Sequence, residues 1–177
     1  MTLSDAILAA IEPVDASLFQ LVATGPNAPA ESNVADYESA LGFALPTEFR
    51  ELVLSPLGGL YVRATEAAWP SIAEFDVAPI WRFRRGVALL GMATDNPEER
   101  LDLRFQLDEA RERGTTGFAP FMKVDGDATV WGFDASGAIL TDDGEGTVTA
   151  SDEQDLGTLY TREIAALIER QQQVAAG

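Results

Sequence analysis

The chain has 177 residues, no cysteine, no histidine, and 29 acids against 12 bases, for a formal charge of −17. That composition excludes Ser-His-Asp and Cys-His catalysis and zinc sites built on histidine or cysteine, and it leaves Lys123 as the one lysine for a serine–lysine dyad. The negative field repels nucleic acid and anionic membranes, and a chain that buries roughly 70% of its unfolded surface needs no disulfide or metal to fold.

Thr2 with Asp5 three residues on predicts a capped helix, lined by Ile7, Leu8 and Ile11 and ended by Pro13. Asp15 then caps a further turn or two carrying Leu18, Phe19 and Val22. Thr24–Ser32 is a Pro- and Ala-rich connector. Residues 1–30 therefore read as an N-terminal helical arm and linker, 31–172 as the domain, and 173–177 as a frayed tail. The start lacks the basic region of a signal peptide, and the longest apolar run, Gly86–Ala93, is far too short to span a bilayer. A cytoplasmic location is expected.

Asn33 caps a helix that carries Tyr37 and Leu41, and Gly42 ends it. Pro46 opens a second helix with Phe49, Leu52 and Val53 on one face, and Gly58-Gly59 reverses the chain into a strand at Leu60–Val62. Residues 64–80 are irregular, broken by Pro70 and Pro79. The alternation of Trp81-Arg82-Phe83-Arg84 predicts a half-exposed strand, and Gly86–Ala93 a more buried one. Asn96-Pro97-Glu98-Glu99 starts a helix that runs to about Gly114 through Leu101, Phe105 and Ala110.

The last third reads as a meander: strands at Phe118–Val124, Thr129–Phe133, Ala138–Thr141 and Thr147–Ala150, with Asp- and Gly-rich turns between them. Ser151, Asp152 and Glu153 open a closing helix whose stripe is Tyr160, Ile164, Leu167 and Ile168. The fold class is α+β: a mainly antiparallel sheet of about four to six strands, with helices packed on one side.

The run Tyr37–Leu60 has the spacing E-x-x-LG-x-x-LP-x-x-F-x-x-L followed by a Gly-Gly turn, and it resembles the N-terminal signature of the SUKH superfamily, the Smi/Knr-like domains. Phe121, Asp125, Gly126, Trp131, Phe133, Asp134 and Gly137 are similar to the second half of that pattern. The chain departs from it at Asp127-Ala128-Thr129, where the family is richer in glycine. It also lacks the common phenylalanine of the closing helix, with Leu159 or Tyr160 nearest. The resemblance covers about residues 31–172. It implies a non-enzymatic immunity protein, without cofactor or metal, that occludes a cognate toxin; an intracellular scaffold or adaptor of the Smi/Knr type is the alternative.

The charge is uneven: residues 1–49 hold seven acids and residues 125–161 nine, and neither segment has a Lys or Arg. Such a field attracts a basic protein and raises its encounter rate roughly 10- to 1,000-fold at low salt; it serves solubility equally well. Asp125, Asp127, Asp134, Asp142, Asp143, Glu145 and Asp152 are the expected docking rim, since loops at one end of a sheet project together. Asp142-Asp143-Gly144-Glu145 lacks the alternating oxygens and distal glutamate of an EF-hand and reads as a solvated hairpin. Trp69, beside Pro70, is the expected exposed aromatic of the interface, while Trp131 belongs to the core. Arg82, Arg84 and Arg85 form the only basic cluster and are expected to pair with acids or guard a strand edge.

Overall fold

Seven short strands hydrogen-bond in sequence order into one antiparallel sheet: β1 (Phe19–Val22), β2 (Tyr61–Ala64), β3 (Gly86–Leu89), β4 (Ala119–Val124), β5 (Val130–Phe133), β6 (Ile139–Asp142) and β7 (Val148–Ala150). The computed structural model describes residues 1–73, 76–95 and 98–176. Within these are five α-helices: α1 (Leu3–Ile11), α2 (Glu31–Leu41), α3 (Thr47–Leu54), α4 (Leu103–Glu112) and α5 (Leu156–Ala176). The class is α+β as expected, with one strand more than the upper count.

That extra strand comes from the front of the chain. The Thr2–Asp5 capping box forms, with the Asp5 amide donating to Thr2 Oγ1 (3.2 Å) and the Thr2 amide to Asp5 Oδ2 (2.9 Å). Asp15 accepts from the Ser17 amide (2.7 Å), but no helix follows: Phe19–Val22 pairs with β2 as an edge strand. Phe19, which buries its ring, and the β-branched Val22 gain more from the open β2 edge than from two isolated helical turns. α1 also buries Leu3 and Ile7 in the main core, and Phe19 of β1 joins them there. At the other end α5 stays helical to Ala176, where fraying was expected.

The α2–α3 unit follows its sequence closely. Gly42 takes the left-handed conformation (φ 90°) and donates to the Glu38 carbonyl (2.9 Å). Glu38 ties the two helices together, since its carboxylate accepts from the Leu45 amide (2.9 Å) and pairs with Arg50 (3.3 Å). Asn33 is the third helical residue, not the cap, and returns its side chain to the Ala30 amide (2.9 Å). Pro46 sits just outside α3 at the N-cap.

Two expectations between β2 and β4 change. Ile80–Phe83 is a 3-10 turn and not a strand, because Pro79 leads into it and Trp81 folds edge-on against Trp69 (6.3 Å between rings). The helix expected from Asn96 begins at Leu103 with Asp102 as its cap, after a 3-10 turn at Glu99–Leu101. Asn96 and Pro97 lie outside the described residues.

Strand register assigns the faces. Val62, Val87 and Val124 are paired neighbours, as are Leu89 and Met122, and they meet α3 and α5 in the main core through Phe49, Leu159 and Ile164. A bulge between Pro120 and Met122 turns Phe121 to the same side, against Phe49 (6.1 Å) and Phe133 (4.3 Å). On the opposite face Tyr61, Ala88, Lys123, Val130 and Asp142 form one cross-strand row. There α4 lies over the sheet, with Gln106 accepting from Lys123 Nζ (3.2 Å), so helices cover both faces and not the one side expected.

Beyond β3 the chain passes Gly58-Gly59 at backbone contact. A Cβ at Gly91 would overlap the Gly59 nitrogen and lie 2.5 Å from its Cα, and neither backbone has room to retreat. Gly91→Ala is expected to cost about 2–3 kcal/mol of stability, read as a lowered urea midpoint with unchanged slope.

Candidate protein-binding surface

The meander divides the acidic residues between two ends of the sheet. Consecutive antiparallel strands place the β4–β5 and β6–β7 turns at one end, and the β5–β6 turn and the exit from β7 at the other, about 13 Å away across the four residues of β5. Asp125, Asp127, Asp142, Asp143 and Glu145 therefore share an end, while Asp134 and Asp152 do not belong to it. Asp134 closes its own hairpin, accepting from Ser136 N (2.8 Å), Ser136 Oγ (2.6 Å) and Ala138 N (3.0 Å), bonds that hold its pKa below the usual range. Asp152 is exposed at that far end.

At the shared end the acids differ in what they touch. Asp142 is fully buried and is no part of a rim: it faces inward in the cross-strand row and accepts from Thr115 Oγ1 (3.0 Å), Arg113 Nη2 (3.3 Å) and the Gly144 amide (2.8 Å). Asp125 accepts from the Tyr61 hydroxyl (2.6 Å), and the Arg100 guanidinium lies 4.6 Å above the Tyr61 ring. Burial, then the Asp125 contact, pushes the Tyr61 phenol up. Asp127 pairs with Arg84 (2.9 Å). Asp143 and Glu145 remain exposed; the amides of Glu145 (2.8 Å) and Thr147 (3.1 Å) donate to Asp143 and hold its pKa down. They are the open charges of this end.

The arginines are engaged internally, as expected. Arg84 holds Asp127, Arg85 holds Glu66 (3.1 Å), and Arg82 donates to the Pro70 carbonyl (3.1 Å). Lys123 is half-buried, and burial lowers its pKa; its partner is Gln106 and not a serine.

Trp69 is not exposed. It is 2% accessible, packed under Trp81, with its indole N–H donating to the Arg82 carbonyl (3.0 Å). The 3-10 turn that displaces the expected strand closes over Trp69 and turns other apolar groups outward: Val77, Ile80 (67% exposed) and Phe83 (53% exposed). Their spacing of three around Pro79, in a segment without a strand partner, is the signal that sequence reasoning passed over. Trp131 is partly buried against the core, as expected.

Phe83 abuts the acidic hairpins. A Cβ at Gly126, which has φ 69°, would lie 2.6 Å from the Phe83 Cβ, and one at Gly144 would lie 2.7 Å from the Ala128 carbonyl oxygen. Phe83, the β4–β5 turn and the β6–β7 turn are thus one continuous strip, apolar at one side and acidic at the other. Among the described residues no group of three or more acids is placed to hold a metal ion, and no helix is long and apolar enough to cross a membrane. No protein-family model matches the chain, and no curated protein is significantly similar to it.

Proposed function

We propose that this protein is a non-enzymatic, SUKH-like immunity protein that occludes a basic, nucleic-acid-targeting toxin through the strip running from Ile80 and Phe83 to Asp143 and Glu145. The observation that carries this reading is the continuity of exposed apolar side chains with exposed carboxylates that form no ion pair among the described residues at one end of the sheet. Apolar anchors supply affinity when they enter a pocket and exclude water, and surrounding acids steer a cationic surface to them. The sequence resemblance over residues 31–172 and the charge of −17 support the same partner class. A specific complex would bury about 1,600 Å² in total.

The test is binding to the product of the gene adjacent to this one. Phe83→Ala is expected to weaken that complex about 30-fold, mostly through faster dissociation. Replacing Asp143 and Glu145 together by lysine is expected to slow association about tenfold at low salt and far less at high salt. Micromolar affinity with no rescue from toxicity would instead indicate an adaptor.

A further inference from the structure

The sheet ends at β7, whose one strand neighbour is β6. In an antiparallel ladder each residue turns its amide and carbonyl either to its neighbour or away from it, in alternation. Ser151 donates to the Ile139 carbonyl (3.0 Å), Asp143 donates to the Thr147 carbonyl (3.1 Å), and Thr149 stands opposite Thr141 between them. Thr147, Thr149 and Ser151 therefore face β6, and the backbone groups of Val148 and Ala150 point out of the sheet. No loop or turn backbone among the described residues bonds to them.

This edge is formed in advance. The Thr141 and Thr149 hydroxyls bond across the strands (3.0 Å), the Thr147 amide donates to Asp143 (3.1 Å), and Gly146, at φ 93°, packs on the Arg113 carbonyl. Exposed edges are ordinarily closed by a lysine, a proline, a bulge or a covering loop. β7 reads Val-Thr-Ala, its register with β6 is unbroken, and Thr149 and Ala150 are exposed. The other edge, β1, differs. Its Phe19 amide is taken by the Asp15 carbonyl (2.9 Å), and Arg63 brings a base to it by donating to the Gln20 side chain (3.5 Å).

Charge selects the occupant of β7. Exposed carboxylates with no ion pair among the described residues flank it on both sides, Asp143 and Glu145 before it and Asp152 and Asp155 after it. The bases that touch this region are engaged, Arg113 on Asp142 and Arg162 on Glu153 and Glu163. A second copy pairing edge to edge would bring the acids of its β6–β7 turn towards Asp152 and Glu153, like charge on like. We propose that β7 takes up an extended segment of a basic protein as an eighth strand, its backbone bonding Val148 and Ala150 and its lysine or arginine side chains reaching the flanking carboxylates. Three residues make a short ladder, so the charges supply much of the affinity. The proposal rests on the reading above for a basic protein partner; it shares Asp143 and Glu145 with the strip but uses neither Ile80 nor Phe83.

The experiment titrates the full chain with a peptide of about nine residues alternating lysine and threonine, and with the same peptide carrying glutamate for lysine, while NMR follows amide exchange. The lysine peptide is expected to bind saturably and to slow exchange at Val148 and Ala150 at least about tenfold, with Thr149, already bonded inward, unchanged. The glutamate peptide should do neither. Binding should weaken at least about tenfold at about 1 M salt, where the screening length is about 3 Å. Ala150→Pro deletes one outward N–H and no internal bond, so its urea midpoint is expected to stay with the parent while its affinity for the lysine peptide falls about tenfold. The exchange pattern of the parent decides the matter even where the proline variant does not fold. Phe83→Ala, which tests the strip, should leave peptide binding unchanged. No binding by the lysine peptide, equal binding of the two peptides, or protection at residues other than Val148 and Ala150 overturns the proposal. Protection of these two amides that depends on protein concentration alone overturns it too, by assigning the edge to a second copy.

Discussion

Asp142→Ala is expected to destabilise the fold by about 3–5 kcal/mol, the cost of leaving one member of a buried ion pair without the other. The carboxylate is completely buried, and three donors converge on it from separate parts of the chain: Arg113 and Thr115 from the segment after α4, and Gly144 from the β6–β7 turn. Its removal leaves Arg113, only 25% exposed, facing Val130 and the rest of the cross-strand row, with its Nε already lacking a partner among the described residues. Asp142→Asn keeps the shape and loses the charge, and should cost about half as much. Asp143→Ala, one residue on and exposed, should stay within about 0.5 kcal/mol of the parent. Urea unfolding checks the series, since a shifted midpoint at constant slope reports stability alone. An Asp142→Ala protein as stable as Asp143→Ala would show that the buried pair contributes nothing.

Stability is expected to fall steeply above pH 10, by about 3 kcal/mol at pH 11 relative to neutral. Tyr37 and Tyr160 are both deeply buried, and loss of hydration around the charged form holds each phenol well above its ordinary value of 10.0. The folded pKa is raised above the unfolded one, so the stabilisation is fully present below pH 10 and is lost as pH rises towards the folded values. Each tyrosine contributes a slope of up to about 1.4 kcal/mol per pH unit, and the two act together. Urea midpoints between pH 8 and pH 11, followed with phenolate absorbance, check this: two phenolates should appear only as the chain unfolds. Tyr160→Phe removes one share and flattens the slope, since its hydroxyl has no partner among the described residues. More than one phenolate at ordinary alkaline pH in the folded protein would contradict the burial of these two rings, since the third tyrosine, Tyr61, is less deeply buried than they are.

What was legible in the sequence was local. The four C-terminal strands lie within a residue or two of their expected positions because alternation and Asp-Gly turns are written into adjacent residues. Gly42 and Glu38 likewise act within a few positions of themselves. β1 was missed because its partner is about forty residues away, and an edge strand of four residues carries no periodic signal of its own. The seven acids expected to form one rim do not share one end of the sheet, for a topological reason. Seven acids that look alike in sequence are separated by strand direction and burial, so that Asp134 and Asp152 lie at the opposite end from the other five and Asp142 points inward. Trp69 is buried and Phe83 exposed because one 3-10 turn, set by Pro79, replaced the strand that would have left Trp69 uncovered.

The most direct measurement is a calorimetric titration of the adjacent gene's product into the parent protein and into a variant combining Phe83→Ala, Asp143→Lys and Glu145→Lys, after confirming that both unfold at the same urea concentration. Nanomolar 1:1 binding by the parent and a loss of at least about a hundredfold in the variant are predicted. Equal affinity for the two proteins would place the binding surface elsewhere and contradict the assignment of the strip.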